Sequence, residues 1–486
     1  MIRFRFVAVA GLCALTIPLG GQSAVDVAAS RRLAGATLVE GRSYAYVSEL
    51  TGTFGSRLTG SPAYQRAAEW AIAQFKAAGI SAVKAEPFTI AHAWERGAAS
   101  ARMVSPLERP LHVESLGWMP STPDEGVEGN VALVADLAPA AISAAALNGR
   151  IALVMPHGAR AIDDQLVLEA QLDRRLRDAG AVATLWADDA PGNVLAARLL
   201  AFGTDIGRLP SAQIGQEDAQ LIRRLLDKGP VRVTFAFRNR ISAGPVVVNN
   251  VIAEIRGRER PDEWVIVGAH LDSWDFATGA QDNGTGVAMV LDAARAIAAL
   301  AQPPRRSIRF ALWGGEEQGL AGSRAYVHAH DADLAHCIAN INTDGGSGRV
   351  LGFLTPGRRD VAAALRPLSD ALLADLGASG IDESMRYAFE SDDGAFILQG
   401  IPALDLNPDD AKYEDIHHTP SDTMDRVNRH DLAVGAATVA ITAYALADAA
   451  QPIGRRLDHA AIASMLAAAR MDRVLEAYGW WKAGSP

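Results

Sequence analysis

The sequence predicts an α/β protein built on an open, mostly parallel sheet with helices on both faces, interrupted by an inserted β-rich domain. Three observations predict it. From Val246 to about Ala449, short apolar runs alternate with helical stretches, the texture of an open α/β sheet. Three of those runs end in His, Asp or Glu, where such sheets build their sites. Between residues 104 and 243 the texture shifts to many short runs and turn residues, with no gathering of His, Asp and Glu at metal-ligand spacing. A chain of 486 residues is long for one core, so two domains are expected.

The first stretch stands apart. Arg3 and Arg5 precede an apolar run from Phe6 to Leu19, followed by Gly20-Gly21-Gln22-Ser23-Ala24. A basic start, a short apolar core and small residues describe a secretory signal peptide over residues 1–24. The run is short for a membrane span. Leu12 before Cys13 argues against a lipoprotein signal. Cleavage would leave Cys337 as the single cysteine and exclude an internal disulfide, which suits a periplasmic or secreted location. Cys337 itself lies in an apolar stretch and reads as a buried strand residue. The net charge of −10 argues against nucleic acid or an anionic membrane as partner, and no membrane attachment is expected after signal cleavage.

Residues 25–103 are expected to begin the main domain. Ala67, Trp70, Phe75 and Ala78 recur at helical spacing from Tyr64 to Ala78, and Ala82 to Ile90 reads as a strand. The loop Arg57-Leu58-Thr59-Gly60-Ser61 is either a turn with Ser61 as helix cap or a loop facing the site. Residues 104–243 form the insertion, and Ala243-Gly244-Pro245 marks the return to the main domain over 244–452. The tail, 453–486, reads as an amphipathic helix ending in Trp480-Trp481. Those rings either mark a partner surface, with a homodimer as the natural case, or pack back onto the domain.

The chemistry concentrates at strand ends. Trp264–Ala269 runs into His270-Leu271-Asp272-Ser273, Ile308–Leu312 into Trp313-Gly314-Gly315-Glu316-Glu317, and Ile338–Ile341 into Asn342-Thr343-Asp344. A Gly-rich loop carries Asp282 ahead of a helix, and His417-His418 follow later in a loop. Each piece alone has an ordinary reading, as helix cap, solvated face or surface loop. Together, at strand ends and in Gly-rich loops, they describe a metal centre. Glycines 314 and 315 would admit close approach of something bound. Zinc takes nitrogen and oxygen ligands, and two zincs about 3.5–4 Å apart need a bridging carboxylate. Asp282 is the natural bridge, with His270 and Asp344 completing one zinc and Glu317 and His418 the other. Glu316 is then free to act as general base. Asp272 is placed to orient His270 through its other nitrogen, and Asp422 is a candidate for the same service to His418.

These residues resemble a family. His270-Leu271-Asp272-Ser273, Asp282-Asn283-Gly284, Glu316 to Ser323, Asp344, Ser391-Asp392 and His418-Thr419 look like the motifs of the two-zinc aminopeptidase and glutamate carboxypeptidase family of metallopeptidases. Trp274-Asp275 and His417-His418 before Asp422-Thr423-Met424 are most similar to the carboxypeptidase Q (plasma glutamate carboxypeptidase) branch. The resemblance runs from about Gly41 to Ala449. It implies a zinc exopeptidase fold of the phosphorylase/hydrolase-like kind, and an insertion of the protease-associated type. It also implies two Zn(2+) per chain on the five ligands, and Glu316 as base and acid. Relatives use a side chain near the last histidine to stabilise the oxyanion; Tyr413 and His417 both qualify here. Asp392 or Asp393 could hold a free amine, although Asp392 also reads as a helix cap.

The expected activity is hydrolysis of dipeptides or short peptides at a chain end, by a zinc-activated water and without a covalent intermediate. No Gly-x-Ser-x-Gly elbow is present to suggest otherwise. The alternatives are a non-catalytic binding protein on the same scaffold, a single-zinc acyltransferase resembling glutaminyl cyclase, and a two-metal deacylase of small amides.

Overall fold

In the computed structural model, residues 27–155, 161–200, 202–409 and 412–482 are described, apart from the Ile162 side chain. The signal peptide expected over 1–24 lies outside them. Eight strands form the main sheet: β1 (Ala82–Ile90), β2 (Val246–Ile255), β3 (Arg260–His270), β4 (Arg306–Trp313), β5 (Cys337–Asn342), β6 (Val350–Leu354), β7 (Gly380–Asp382) and β8 (Ala403–Pro408). Their order is β1-β2-β4-β3-β5-β8-β6-β7. The middle run β4-β3-β5-β8 is parallel, while β1, β2 and β6 join antiparallel to their inner neighbours. The sheet is therefore mixed, with its parallel part at the centre.

Burial on both faces explains the continuous apolar strands. In β3, Val265, Val267 and Ala269 enter the core beneath the helices Thr285–Ala298 and Arg429–Asp448. Trp264 and Ile266 point the other way, into a cluster with Trp313, Tyr326 and Phe396. Side chains alternate across a strand, so one run serves both layers. Each such side chain contributes about 1.5–3 kcal/mol on burial. Helix Arg429–Asp448 is long and apolar enough to cross a membrane, but most of it is buried here against the sheet and the helices Val27–Leu38 and Thr285–Ala298.

The parallel register sets the site. His270 sits opposite Trp313, and Gly268 opposite Asn342. The chain leaving β3, β4 and β5 therefore emerges at one edge, bringing His270, Glu316-Glu317 and Asp344 to the same level.

The inserted segment forms its own eight-stranded sheet. It takes in Ala99–Ser105, which pairs with Arg232–Phe237, so this sheet begins ahead of residue 104. The segment is β-rich, as expected, with helices between some of its strands. Strands Val127–Val134, Ile151–Val154, Ala183–Ala187 and Ser211–Ile214 are parallel, and the helices Ala144–Leu147, Ile162–Glu169 and Leu172–Asp178 lie in the first two crossovers between them. Parallel neighbours require crossovers, and the Ala-rich stretches provide them. The insertion leaves the main sheet after β1 and returns at β2, where Ile90 faces Val246.

The tail is two short helices, His459–Ala468 and Asp472–Ala477, rather than one. Its tryptophans pack inward. Trp481 is buried and stacks on His459 with centroids 4.4 Å apart, and Trp480 lies against Phe202 of the insertion at 5.3 Å.

Candidate metal centre

His270 ends β3 and is fully enclosed. Its Nδ1 lies 3.1 Å from the main-chain oxygen of Asp272, which can only accept, so this nitrogen carries the proton. Nε2 then turns its lone pair towards Asp282 Oδ1 at 3.1 Å and Asp344 Oδ1 at 3.4 Å. A lone pair facing carboxylates is repulsive unless a cation or a second proton lies between them. The other oxygen of Asp282 lies 3.2 Å from His418 Nε2, which is 3.0 Å from Glu317 Oε2. Asp282 thus spans the two groups with one oxygen to each.

The donor set fits metal. His270 Nε2, Glu317 Oε1 and Asp344 Oδ1 are buried atoms that no hydrogen bond reaches among the described residues. His270 with Glu316 and Asp344, and His270 with Asp282 and Glu317, each bring their ligand atoms within 4.8 Å of one another. Burial, together with the charge of Asp282, pushes the Glu317 carboxyl up to about 7. Burial works against charge on His418, yet Glu317 and Asp282 hold it up at about 10. Acids that retain protons and an imidazole that will not release one mark a centre short of positive charge, the deficit that a bound cation fills.

Glu316 is the odd member. Its Oε2 stands 4.0 Å from His270 Nε2, farther than the oxygens of Asp282 and Asp344. Burial raises its carboxyl well above the usual range, with Asp344 and Glu317 adding to the rise against His270. High proton affinity beside the ligand atoms is what a general base requires.

The supports differ from expectation in four respects. Asp272 fixes His270 through its main-chain carbonyl, while its side-chain Oδ1 stands 3.6 Å from Nδ1. That carboxylate accepts instead from the Thr59 hydroxyl at 2.7 Å and from the Glu316 amide at 3.3 Å. Asp422 does not orient His418; it accepts from the amides of Gln281 and Asp282 at 2.6 and 3.2 Å and so holds the bridging loop. Asp392 is buried beneath the centre and makes no cap hydrogen bond. It lines neither of the cavities flanking the centre, so it is not placed to meet an amine there. Burial lifts its carboxyl to about 8. Glycines 314 and 315 admit protein rather than ligand, since a Cβ at Gly314 would strike the Tyr64 hydroxyl.

The loop before the first long helix of the sheet serves both roles open to it. Ser61 caps Pro62–Ala77 by accepting from the Tyr64 amide at 3.2 Å. Arg57 is wholly buried and donates to the carbonyls of Leu271, Thr278 and Gly279 at 2.8–2.9 Å, fastening the loops of His270 and Asp282 together. Three of its four acceptors lie on loops more than two hundred positions away, and the fourth is the nearby Gly55 carbonyl at 3.0 Å.

Tyr413 and His417 both reach the centre. Their rings lie 4.9 Å apart, and His417 Nε2 is 3.6 Å from Asp282 Oδ2. Burial and the neighbouring His418 push His417 down to about 3, so its ring is neutral. His418 adopts a left-handed backbone (φ 60°), a strained state for a residue with a Cβ. Its carbonyl accepts from the Ala197 amide of the insertion at 2.8 Å. Tryptophan 274 stands edge-on to its ring at 5.9 Å. Cys337, on β5, is buried away from these ligands, and burial raises its thiol.

The chain is similar to known peptidases along most of its length. The model of Peptidase family M28 matches residues 250–452. Carboxypeptidase Q of Rattus norvegicus is 30% identical over 419 residues, 86% of this chain and 87% of its own length. The crystal structure of a peptidase M28 precursor from Shewanella amazonensis is 29% identical with a TM-score of 0.77, covering 89% of this chain and 99% of that one. A zinc aminopeptidase from Bacillus subtilis shares the fold at 22% identity, with a TM-score of 0.64 over 82% of this chain and 93% of that one. The chain belongs to peptidase family M28 and is a metallopeptidase.

Proposed function

We propose that the chain is an exported exopeptidase that hydrolyses dipeptides or short peptides, working with two zinc ions per chain. The observation that carries this reading is the placement of Asp282, one oxygen towards His270 and the other towards His418. His270 and Asp344 would hold one ion and Glu317 and His418 the other, with Asp282 within reach of both groups. When bound, the zinc pair supplies a water of lowered pKa and polarises the scissile carbonyl. The Glu316 carboxylate is placed to take a proton from the attacking water and to return it to the leaving amine nitrogen, so that no covalent intermediate would be needed. Arg57, Thr59, Asp272 and Asp422 keep the ligand loops in place. Tyr413 and His417 are the donors within reach of the developing oxyanion. The insertion is of the protease-associated type and walls the site. Export rests on the basic and apolar start of the sequence, and the location is periplasmic or secreted.

The test is zinc content and dipeptide hydrolysis of purified mature protein and of Glu316→Ala. About two zincs per chain, with cleavage lost but metal kept in the variant, is the expected result. Zinc bound without cleavage of any dipeptide would favour a binding protein on this scaffold, and cleavage of small non-peptide amides alone a deacylase.

A further inference from the structure

A cavity of about 900 Å3 is walled by the helix Ala321–Ala329, the turn after the helix Asp393–Ile397, and the tail. No member of the metal centre lines it. Arg324 is half-buried in its wall, with the guanidinium over the Trp480 ring at 4.9 Å. Stacking occupies the face of a guanidinium and leaves its N–H edge free for an acceptor. Among the described residues that edge has no hydrogen bond and no ion pair. The two acids of the walls are engaged elsewhere. Asp458 accepts from the Ala461 amide at 2.9 Å and caps the helix His459–Ala468, while Asp331 lies 3.9 Å from Arg456.

Two other arginines show what fills such an edge. Arg96 lies over Trp94 at 5.0 Å and donates to both oxygens of Asp275 at 2.9 Å. Arg309 lies over Trp264 at 4.1 Å and donates to Glu254 at 3.0 Å. Arg324 repeats the stack without the carboxylate. Burial keeps its pKa below the usual arginine range, and no anion works against that fall. A guanidinium drawn out of water without a counter-ion is costly, and an anion from solution relieves the cost. Val327, Leu398, Ile462 and Trp481 give the cavity an apolar side, and Lys482 adds positive charge to its rim.

We infer that this cavity binds an organic anion, its carboxylate or phosphate on the edge of Arg324 and its apolar body along Leu398 and Ile462. The site is separate from the metal centre but close to its loop. A Cβ at Gly319, two residues after Glu317, would stand 2.9 Å from the Trp480 indole. A ligand on Arg324 therefore bears on the ring that packs against the loop of Glu316 and Glu317.

The experiment titrates phenyl phosphate and benzoate into the zinc-loaded full chain, R324Q and R324K, by calorimetry and tryptophan fluorescence. Inorganic phosphate and benzyl alcohol are the controls. Wild type is expected to bind at least one aryl anion saturably and more tightly than either control, and the relative affinity of the two names the head group. R324Q weakens that binding by about tenfold or more, and R324K recovers part of it. An anion held at the zinc ions is untouched by these changes, so binding that survives in R324Q overturns the assignment. Absence of saturable binding by either aryl anion does the same. Inorganic phosphate bound as tightly as phenyl phosphate overturns the assigned class. A dimer in sedimentation that R324Q dissociates overturns the inference too, by giving the cavity to an interface between copies. Should R324Q unfold, R324M carries the same comparison, because it keeps bulk beside Trp480.

Discussion

The Thr59 hydroxyl donates to Asp272 Oδ2 at 2.7 Å, joining the loop before the helix Pro62–Ala77 to the turn that carries His270. That same carboxylate receives the Glu316 amide. One buried acid therefore ties the turn after His270 to Glu316. Thr59→Val leaves Asp272 Oδ2 without its donor, and losses from such supporting contacts are about 10–100-fold in activity or metal affinity. We expect kcat to fall in that range with the fold intact, read by kinetics beside zinc titration. Unchanged kcat and zinc affinity would show that Asp272 is held by other means.

Removal of zinc should destabilise the chain. Asp282, Glu317 and Asp344 converge on the two imidazoles of His270 and His418, three carboxylates in one buried cluster. Chelation is expected to lower the thermal midpoint, and zinc at a hundredfold over its Kd to restore about 2.7 kcal/mol. Scanning calorimetry at several zinc concentrations measures it. A midpoint independent of zinc would contradict the ligand assignment.

Asp188 gives a pH signature separate from the metal. Burial raises its folded pKa to about 7 from the ordinary 3.8, so the folded chain binds this proton more tightly than the unfolded chain does. Its contribution to stability therefore declines as pH rises between those values. Asp188→Asn should gain stability relative to wild type at pH 8 and gain little at pH 4, in urea unfolding at both. An equal difference at both pH values would place the effect elsewhere.

The tail braces the catalytic loop. Gly319 has φ 99°, and a Cβ there would meet Phe202 and the Trp480 indole at 2.8 and 2.9 Å. Gly203 donates to the Gln318 carbonyl at 2.7 Å. Arg470 and Arg473 pair with Asp163 and Asp164 of the insertion at 2.8 and 3.0 Å. Trp480→Ala should loosen residues 316–324, seen as faster amide exchange there and a lower kcat with zinc retained. Trp480→Phe should recover most of both. Exchange rates that do not move would limit the tail to an outer packing role.

Four of the five candidate ligands, His270, Asp282, Glu317 and Asp344, follow a local cue, a strand end or a Gly-rich loop, and parallel strands deliver their ends to one edge. His270, Glu317 and Asp344 meet for that reason. Supports such as Arg57 and Asp422 left no such trace, since their partners lie far away in sequence and are main-chain groups that any residue could supply. The parallel strands of the insertion were hidden in a different way. Four- to eight-residue apolar runs look alike in parallel and antiparallel sheets, and the crossovers that distinguish them are short and Ala-rich here.

Strands β1 and β2 lie side by side, with Ile90 against Val246 where the insertion departs and returns. Topologically, the whole second sheet is the tip of a β-hairpin. Its two stems are already paired, so a short turn in its place would close without disturbing the register of any other strand. The scaffold thus separates inheritance of the reaction from inheritance of its selectivity. The five candidate ligands and Glu316 all lie on the return side of that hairpin, whereas the inserted sheet can be exchanged as a cassette.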